Sequence, residues 1–269
     1  MRSEDARFVG TIPAVYDAHL GPVLFEAHAK DLALRVPATP GLRVLEVACG
    51  TGIVTRHLLA RLPSDARLVA TDLNVPMVEH ARAALPEDSR LELRTADAQV
   101  LPFADASFDV YVCQFGVMFF PDKALALREA KRVLKPGGLL LFNVWRPMAE
   151  NSFAVQATET ARRWFPEDPP RFYEVPFSWG EPEPILAALK EAGFHDALTE
   201  PLQRKVRPQS PEHFARGLVL GNPLALELEE RGVADPARLI SELAEAIATS
   251  VAPSDGCVVM NTLVVQALA

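Results

Sequence analysis

A chain of 269 residues, 49% hydrophobic and 23% charged, has the make-up of an ordinary globular domain, which excludes disordered, collagen-like and coiled-coil architectures. Its 27 Lys and Arg stand against 35 Asp and Glu, a formal charge of −8, so the basic footprint that phosphate backbones demand is missing and nucleic acid is not an expected partner. Three well-separated cysteines, Cys49, Cys113 and Cys257, give neither a disulfide framework nor metal-ligand spacing, and no metal site is expected.

The N-terminus carries Arg2, Glu4, Asp5 and Arg7 rather than an apolar leader. No apolar run approaches the roughly 20 residues of a membrane helix, so a cytoplasmic protein without membrane insertion is expected. Arg43 to Val47 is β-rich and runs into Ala48-Cys49-Gly50-Thr51-Gly52, after which Ile53, Val54, Leu58, Leu59 and Leu62 fall at helical spacing. Arg67 to Thr71 is a second strand ending in Asp72, followed by a helix opened by Asn74 and Pro76 and carrying Met77, His80, Ala81 and Ala84. Leu91 to Thr95 alternates as a third strand, and Phe108 to Cys113 reads as a fourth. Lys123 to Leu134 is a predicted helix stopped by Lys135-Pro136-Gly137-Gly138, and Leu139 to Val144 is a buried strand. The aromatic, proline-rich stretch from Asn151 to Gly180 breaks the rhythm and reads as a cap. Glu183 to Glu191 is a helix, Ala197 to Val206 a strand, Pro211 to Ser250 a helical insertion, and Cys257 to Leu268 the last strand. Alternating strands and helices predict an α/β fold, a doubly wound, mostly parallel, Rossmann-like sheet.

Glycines at 50 and 52 let backbone approach a ligand closely at a helix start. The dinucleotide pattern G-x-G-x-x-G would place its third glycine at 55, where the chain has Thr55. No Walker lysine follows the glycines. Tyr16, Tyr111 and Tyr173 are followed four positions later by Leu20, Phe115 and Phe177, not by the lysine of a short-chain oxidoreductase.

Five blocks in order carry a resemblance: Val44-Leu45-Glu46-Val47-Ala48-Cys49-Gly50-Thr51-Gly52; Asp72-Leu73-Asn74 with Met77; Ala96-Asp97-Ala98; Leu101-Pro102-Phe103 with Ser107-Phe108-Asp109; and Leu134-Lys135-Pro136-Gly137-Gly138. Over about residues 42 to 146 the chain resembles the class I S-adenosylmethionine-dependent methyltransferases, in particular the group of the ubiquinone and menaquinone C-methyltransferases. It departs from them at Ala48, where that pattern most often has its first glycine.

The resemblance implies seven strands, S-adenosylmethionine as cofactor and S-adenosylhomocysteine as product. It implies that Asp72 accepts from the ribose hydroxyls, that Leu73 lies on adenine, and that Asp97 and the Ala98 N–H meet the adenine edge. Gly50 and Gly52 would admit the methionine tail, carbonyls near Ala48 and Gln114 its ammonium and Tyr16 its carboxylate, with Glu46 an anchor behind the turn. Asp72 and Asp97 taken singly would also serve as capping or solvated carboxylates. Asp109 and Ser107 read as turn structure, and Cys49, Cys113 and Met77 as core.

In-line methyl transfer needs alignment and dryness more than a base, so no catalytic motif is required. His19, His28 and His213 are base candidates by residue type, a surface position being the alternative for each. Phe115, Met118, Trp145, Arg146 and Tyr173 are candidates for the wall of a small-molecule acceptor site, and an apolar or aromatic acceptor, methylated on O, N or C, is expected. The cap aromatics would equally make a satellite core. The expected organisation is an N-terminal helical lid (1–36), a cofactor-binding core (37–146), an aromatic cap (147–182) and a segment completing the sheet (183–269) with its helical insertion at 211–250. An NAD(P)-dependent oxidoreductase and a non-catalytic S-adenosylmethionine-binding protein are the alternatives, and monomer or homodimer is left open.

Overall fold

The computed structural model describes residues 6–252 and 254–269, so Arg2, Glu4 and Asp5 lie outside the described residues. The chain begins with a short helix α1 (Ile12–Val15), a π-helical run (Tyr16–Phe25) containing Pro22, and α2 (Glu26–Arg35). Then follow β1 (Arg43–Val47), α3 (Ile53–Leu59), β2 (Arg67–Asp72), α4 (Val75–Ala84), β3 (Leu91–Thr95), β4 (Phe108–Gln114), α5 (Lys123–Val133) and β5 (Leu134–Trp145). After β5 come α6 (Ser152–Trp164), α7 (Pro182–Glu191), β6 (His195–Val206), α8 (Pro211–Leu220), α9 (Leu224–Glu230), α10 (Ala237–Ala246) and β7 (Val258–Leu268).

These strands form one seven-stranded sheet of order β3-β2-β1-β4-β5-β7-β6. The first five are parallel, and β7 runs antiparallel between β5 and β6. Val44, Leu45, Glu46 and Val47 are all buried, as are Val110 to Cys113, so both faces of the central strands are covered and their continuous apolar runs follow. Between β1 and β4 the strand order reverses, and the crevice at the carboxyl ends there is where such sheets bind ligands.

The Lys135-Pro136-Gly137-Gly138 stop, expected to precede the fifth strand, lies within it. Leu134 already pairs with Phe108, the register then slips, and Val110 pairs with Leu139, making the four residues a bulge. Gly137 takes the bend at φ +76, and its N–H donates to the Ala269 carbonyl. The cap contains the full helix α6, whose Phe153, Ala154, Ala157 and Ala161 are buried on one face. Insertion α8 to α10, cap, N-terminal helices and sheet share one hydrophobic core. Among the described residues no helix is long and apolar enough to cross a membrane.

Candidate functional site

The glycine turn is shaped by backbone geometry. Ala48, Gly50 and Gly52 all have positive φ (+55, +56 and +87), and a side chain at Gly50 would find nothing within 4 Å, leaving open space where the turn faces a cavity. Gly52 faces the other way, since a Cβ there would sit 2.9 Å from the Leu85 side chain; it closes packing against the end of α4 and lies outside the cavity lining. Glu46 is also outside it. Its carboxyl is buried beneath the turn and accepts from Thr55 Oγ1 at 2.7 Å, which gives the residue at the missing third glycine a structural task. Burial pushes the Glu46 carboxyl up to about 8.

At the end of β2, Asp72 accepts from the Gly50 N–H at 2.9 Å through one oxygen and from the Asn74 N–H at 2.8 Å through the other. Burial raises its pKa and these hydrogen bonds oppose the rise. Oδ1 also accepts from Asn74 Nδ2 at 3.3 Å, so the carboxylate is held by donors from both the glycine turn and the start of α4. The Asn74 side chain, an expected helix cap, instead holds the N-terminal segment, donating to the Ala6 carbonyl at 3.0 Å and accepting from the Phe8 N–H at 3.2 Å. No signal in the sequence pointed to that clamp.

One cavity of about 290 Å³ runs from this carboxylate into the space under the cap. Tyr16, Ala48, Gly50, Asp72, Leu73, Asp97, Ala98 and Gln114 line it, together with Phe115, Trp145 and Tyr173, so most of the expected site residues are brought together. Met77 is both buried in the core and part of the lining. The Asp97 side chain accepts from the Gln99 N–H at 2.8 Å. Gln114 ends β4, and its Oε1 is buried with no hydrogen-bond partner.

Under the cap the walls are apolar. The Phe115 and Trp145 rings stack, centroids 4.3 Å apart and planes 8° apart, and Phe153 and Phe177 pack on Trp145. Phe172 of the cap also lines the cavity, together with Phe8, Phe119, Leu218 and Asn222, the last four not foreseen from the sequence. The Tyr173 hydroxyl donates to the Leu218 carbonyl at 2.7 Å and accepts from Asn222 at 3.3 Å, joining cap to insertion. The π-helical run roofs the cavity through Tyr16, Leu20, Leu24 and Phe25. It is fastened to the glycine turn by Thr51 Oγ1 donating to Asp17 at 2.9 Å, and to α4 by the His80–Asp17 pair at 3.5 Å. Burial, reinforced by the Asp72 and Asp17 carboxylates, raises the Tyr16 phenol far above its usual range, so it stays a hydrogen-bond donor.

Several expectations are corrected. Met118 is 1% exposed in the turn after β4, beneath the wall, while its neighbours Phe119 and Phe120 reach the cavity. Arg146 points away, pairing with Glu150 at 2.9 Å and Glu181 at 3.0 Å and bonding the Gly180 carbonyl, so it pins the start and end of the cap. None of the three histidines lines the cavity. His19 and His213 stack on each other at 4.0 Å between the roof and α8, with His19 Nδ1 bonded to the His213 carbonyl at 3.1 Å. His28 is buried rather than on the surface; its Nδ1 bonds the Leu24 carbonyl at 2.8 Å and burial pulls its pKa down to about 4, which keeps it neutral. Asp109 takes the Arg43 N–H and Lys135, Ser107 bonds the Ala104 carbonyl, and Cys49 and Cys113 are buried, all as the sequence suggested.

Gly116 is the contact between the two turns. A Cβ there would lie 2.5 Å from the Ala48 methyl and 2.7 Å from Cys113 Sγ. Gly116→Ala is therefore expected to cost about 1–3 kcal/mol, the range for overpacking, and to lower the melting temperature by a few degrees to about 10 °C in a thermal melt.

Comparison with known proteins agrees with this geometry. Residues 45–142 match the family model described as a methyltransferase domain. Demethylmenaquinone methyltransferase of Staphylococcus aureus is 33% identical over 142 residues, covering 50% of this chain and 57% of the relative. The chain spans about half the length of the curated relatives it matches. Among solved structures, a putative methyltransferase from Bacillus halodurans superposes with a TM-score of 0.59 at 22% identity, over 89% of this chain and 97% of the other. Phosphoethanolamine N-methyltransferase 2 of Haemonchus contortus, in complex with phosphomonomethylethanolamine and S-adenosylhomocysteine, gives 0.61 at 17% identity, over 95% of this chain and 56% of the other. Residues 45–142 thus match a methyltransferase domain, in a chain that has the fold of solved methyltransferases and is similar over part of its length to the ubiquinone/menaquinone C-methyltransferase group.

Proposed function

We propose that the protein transfers the methyl group of S-adenosylmethionine to a small, apolar, uncharged acceptor. The observation that carries this reading is the continuity of one cavity from the Asp72 carboxylate to the stacked Phe115 and Trp145 rings. The residues present fit the cofactor: the Gly50 position is open, the Asp72 carboxylate is held at the cavity wall by backbone donors, and a buried Gln114 oxygen lacks a partner. Asp72 would hold the ribose hydroxyls, Leu73 one adenine face, Asp97 and the Ala98 N–H the adenine edge. Carbonyls at Ala48 and Gln114 would take the ammonium, and the protonated Tyr16 phenol the carboxylate. When bound, S-adenosylmethionine supplies an electrophilic methyl group on a sulfonium.

The chain's own contribution is alignment and exclusion of water, which the aromatic walls and the fastened roof provide. Among the described residues no Lys, Arg or His lines the cavity, so none of them would compensate a phosphate or carboxylate on the acceptor. The same lack leaves no imidazole to remove a proton, and the acceptor is expected to bring an atom that is nucleophilic without a protein base. A cytoplasmic enzyme fits the free thiols of Cys49 and Cys113.

Calorimetric titration with S-adenosylmethionine and with S-adenosylhomocysteine is the test, followed by labelled-methyl transfer across a panel of uncharged aromatic acceptors. Micromolar binding of both and transfer to apolar acceptors are expected. Folded protein that binds neither would sink the reading. Binding without turnover would favour a non-catalytic role, and binding of NADH alone would return the oxidoreductase alternative.

A further inference from the structure

Asn143 is the one polar side chain in the apolar run Leu139 to Val144, and it is 1% exposed. A buried amide in a central strand is costly unless its hydrogen bonds are made. Its Nδ2 makes none. Its Oδ1 makes one, accepting from the Phe115 N–H at 3.0 Å, while the Asn143 backbone carbonyl accepts from the same N–H at 3.1 Å. Gln114 and Asn143 are the last partners of the β4–β5 ladder, so this three-centre bond captures the first amide beyond it.

That amide belongs to a residue in an unfavourable conformation. Phe115 has φ +49, a left-handed backbone that a bulky aromatic side chain seldom adopts. The conformation lays its ring flat on Trp145 as a wall of the cavity. The next residue cannot absorb a change, because Gly116 is already against Ala48 and Cys113. The Asn143 side chain thus gives its one hydrogen bond to the amide of the residue that forms the wall, sharing it with its own backbone carbonyl.

We propose that Asn143 is a positioning residue for acceptor selection: its side-chain carbonyl keeps Phe115 in the left-handed conformation that fixes the Phe115–Trp145 wall. The proposal rests on the reading of that end of the cavity as the acceptor site. Asn143→Ala removes the oxygen, whereas Asn143→Asp retains an accepting oxygen and, read below about pH 5 where the buried acid stays neutral, carries a hydroxyl in place of the NH₂ that bonds nothing.

The probe is 2-naphthol, a flat uncharged aromatic, titrated calorimetrically beside S-adenosylhomocysteine. In N143A the naphthol affinity is expected to fall about tenfold with S-adenosylhomocysteine affinity within twofold of the parent and a cooperative melt retained. N143D is expected to stay within about threefold for both ligands. Unchanged naphthol affinity in N143A, equal losses in N143A and N143D, or no naphthol binding by the parent at millimolar concentration would each overturn the proposal. If N143A does not fold, F115L decides: a tenfold loss for naphthol alone supports the wall, and no loss overturns it. A parent protein that binds naphthol but neither S-adenosylmethionine nor S-adenosylhomocysteine would defeat the functional reading while leaving the wall measurable.

Discussion

Asp72→Asn is expected to weaken S-adenosylmethionine binding by about 10- to 150-fold, the ~1.5–3 kcal/mol that a hydrogen bond to a charged group contributes. The carboxylate is placed by two backbone N–H donors from different segments, Gly50 and Asn74. Asparagine can satisfy only one of them with its oxygen and must turn an NH₂ toward the other, so both the charge and the orientation suffer. Calorimetric comparison of D72N with the parent checks this, with thermal melts to show that the fold persists. Equal affinities would place the ribose elsewhere and remove the strongest single contact from the proposed cofactor site.

Glu46→Gln is expected to change stability as a function of pH rather than at all pH values. The Glu46 carboxyl titrates near 8 in the folded protein against an ordinary value of 4.5. Between those values the folded state holds a proton that the unfolded chain has released, so this group's contribution is full below about pH 4.5 and is lost as pH rises toward 8. Glutamine carries no charge at any pH and can still accept from Thr55. E46Q is therefore expected to melt close to the parent at pH 5 and several degrees above it at pH 9, a gain on the order of a few kcal/mol. Parallel melting curves across that range would show that the buried carboxyl does not pick up a proton on folding.

The sheet was legible because its central strands are buried on both faces and read as runs that are apolar but for single polar residues such as Glu46 and Asn143. Val44 to Val47 before the glycine turn and Leu139 to Val144 are such runs. Helix α6 was not, since its single apolar face of Phe153, Ala154, Ala157 and Ala161 lies in a stretch whose aromatics and prolines dominate. A helical lid over 1–36 was expected, but the π-helical form of its Tyr16–Phe25 run was not legible, because Pro22 within it argues against a helix and no simple periodicity describes its wider turns.

Within the site, strand-end residues such as Asp72, Asp97 and Gln114 follow from chain order, because the carboxyl ends of parallel strands converge at the switch point. Arg146, Met118 and the three histidines do not, because what decides them is the direction of one side chain among tertiary neighbours. Glu150 and Glu181 lie on either side of the cap, and only folding brings both to Arg146. Asn143 could have been noticed as an amide in an apolar run, yet its partner Phe115 is 28 residues away.

The placement of β7 between β5 and β6 has a consequence for how the molecule is made. Strand β6 cannot join the sheet when it leaves the ribosome, because the strand it pairs with, β7, follows it in the chain. Until then β5 presents a bare edge, and pairing β6 with β7 must close the long loop that holds α8 to α10, the kind of non-local pairing that folds slowly and exposes strands to aggregation. A nascent chain short of Val258 thus has an unfinished sheet, while the insertion that carries Leu218 and Asn222 to the cavity already has the N-terminal and cap helices to pack on.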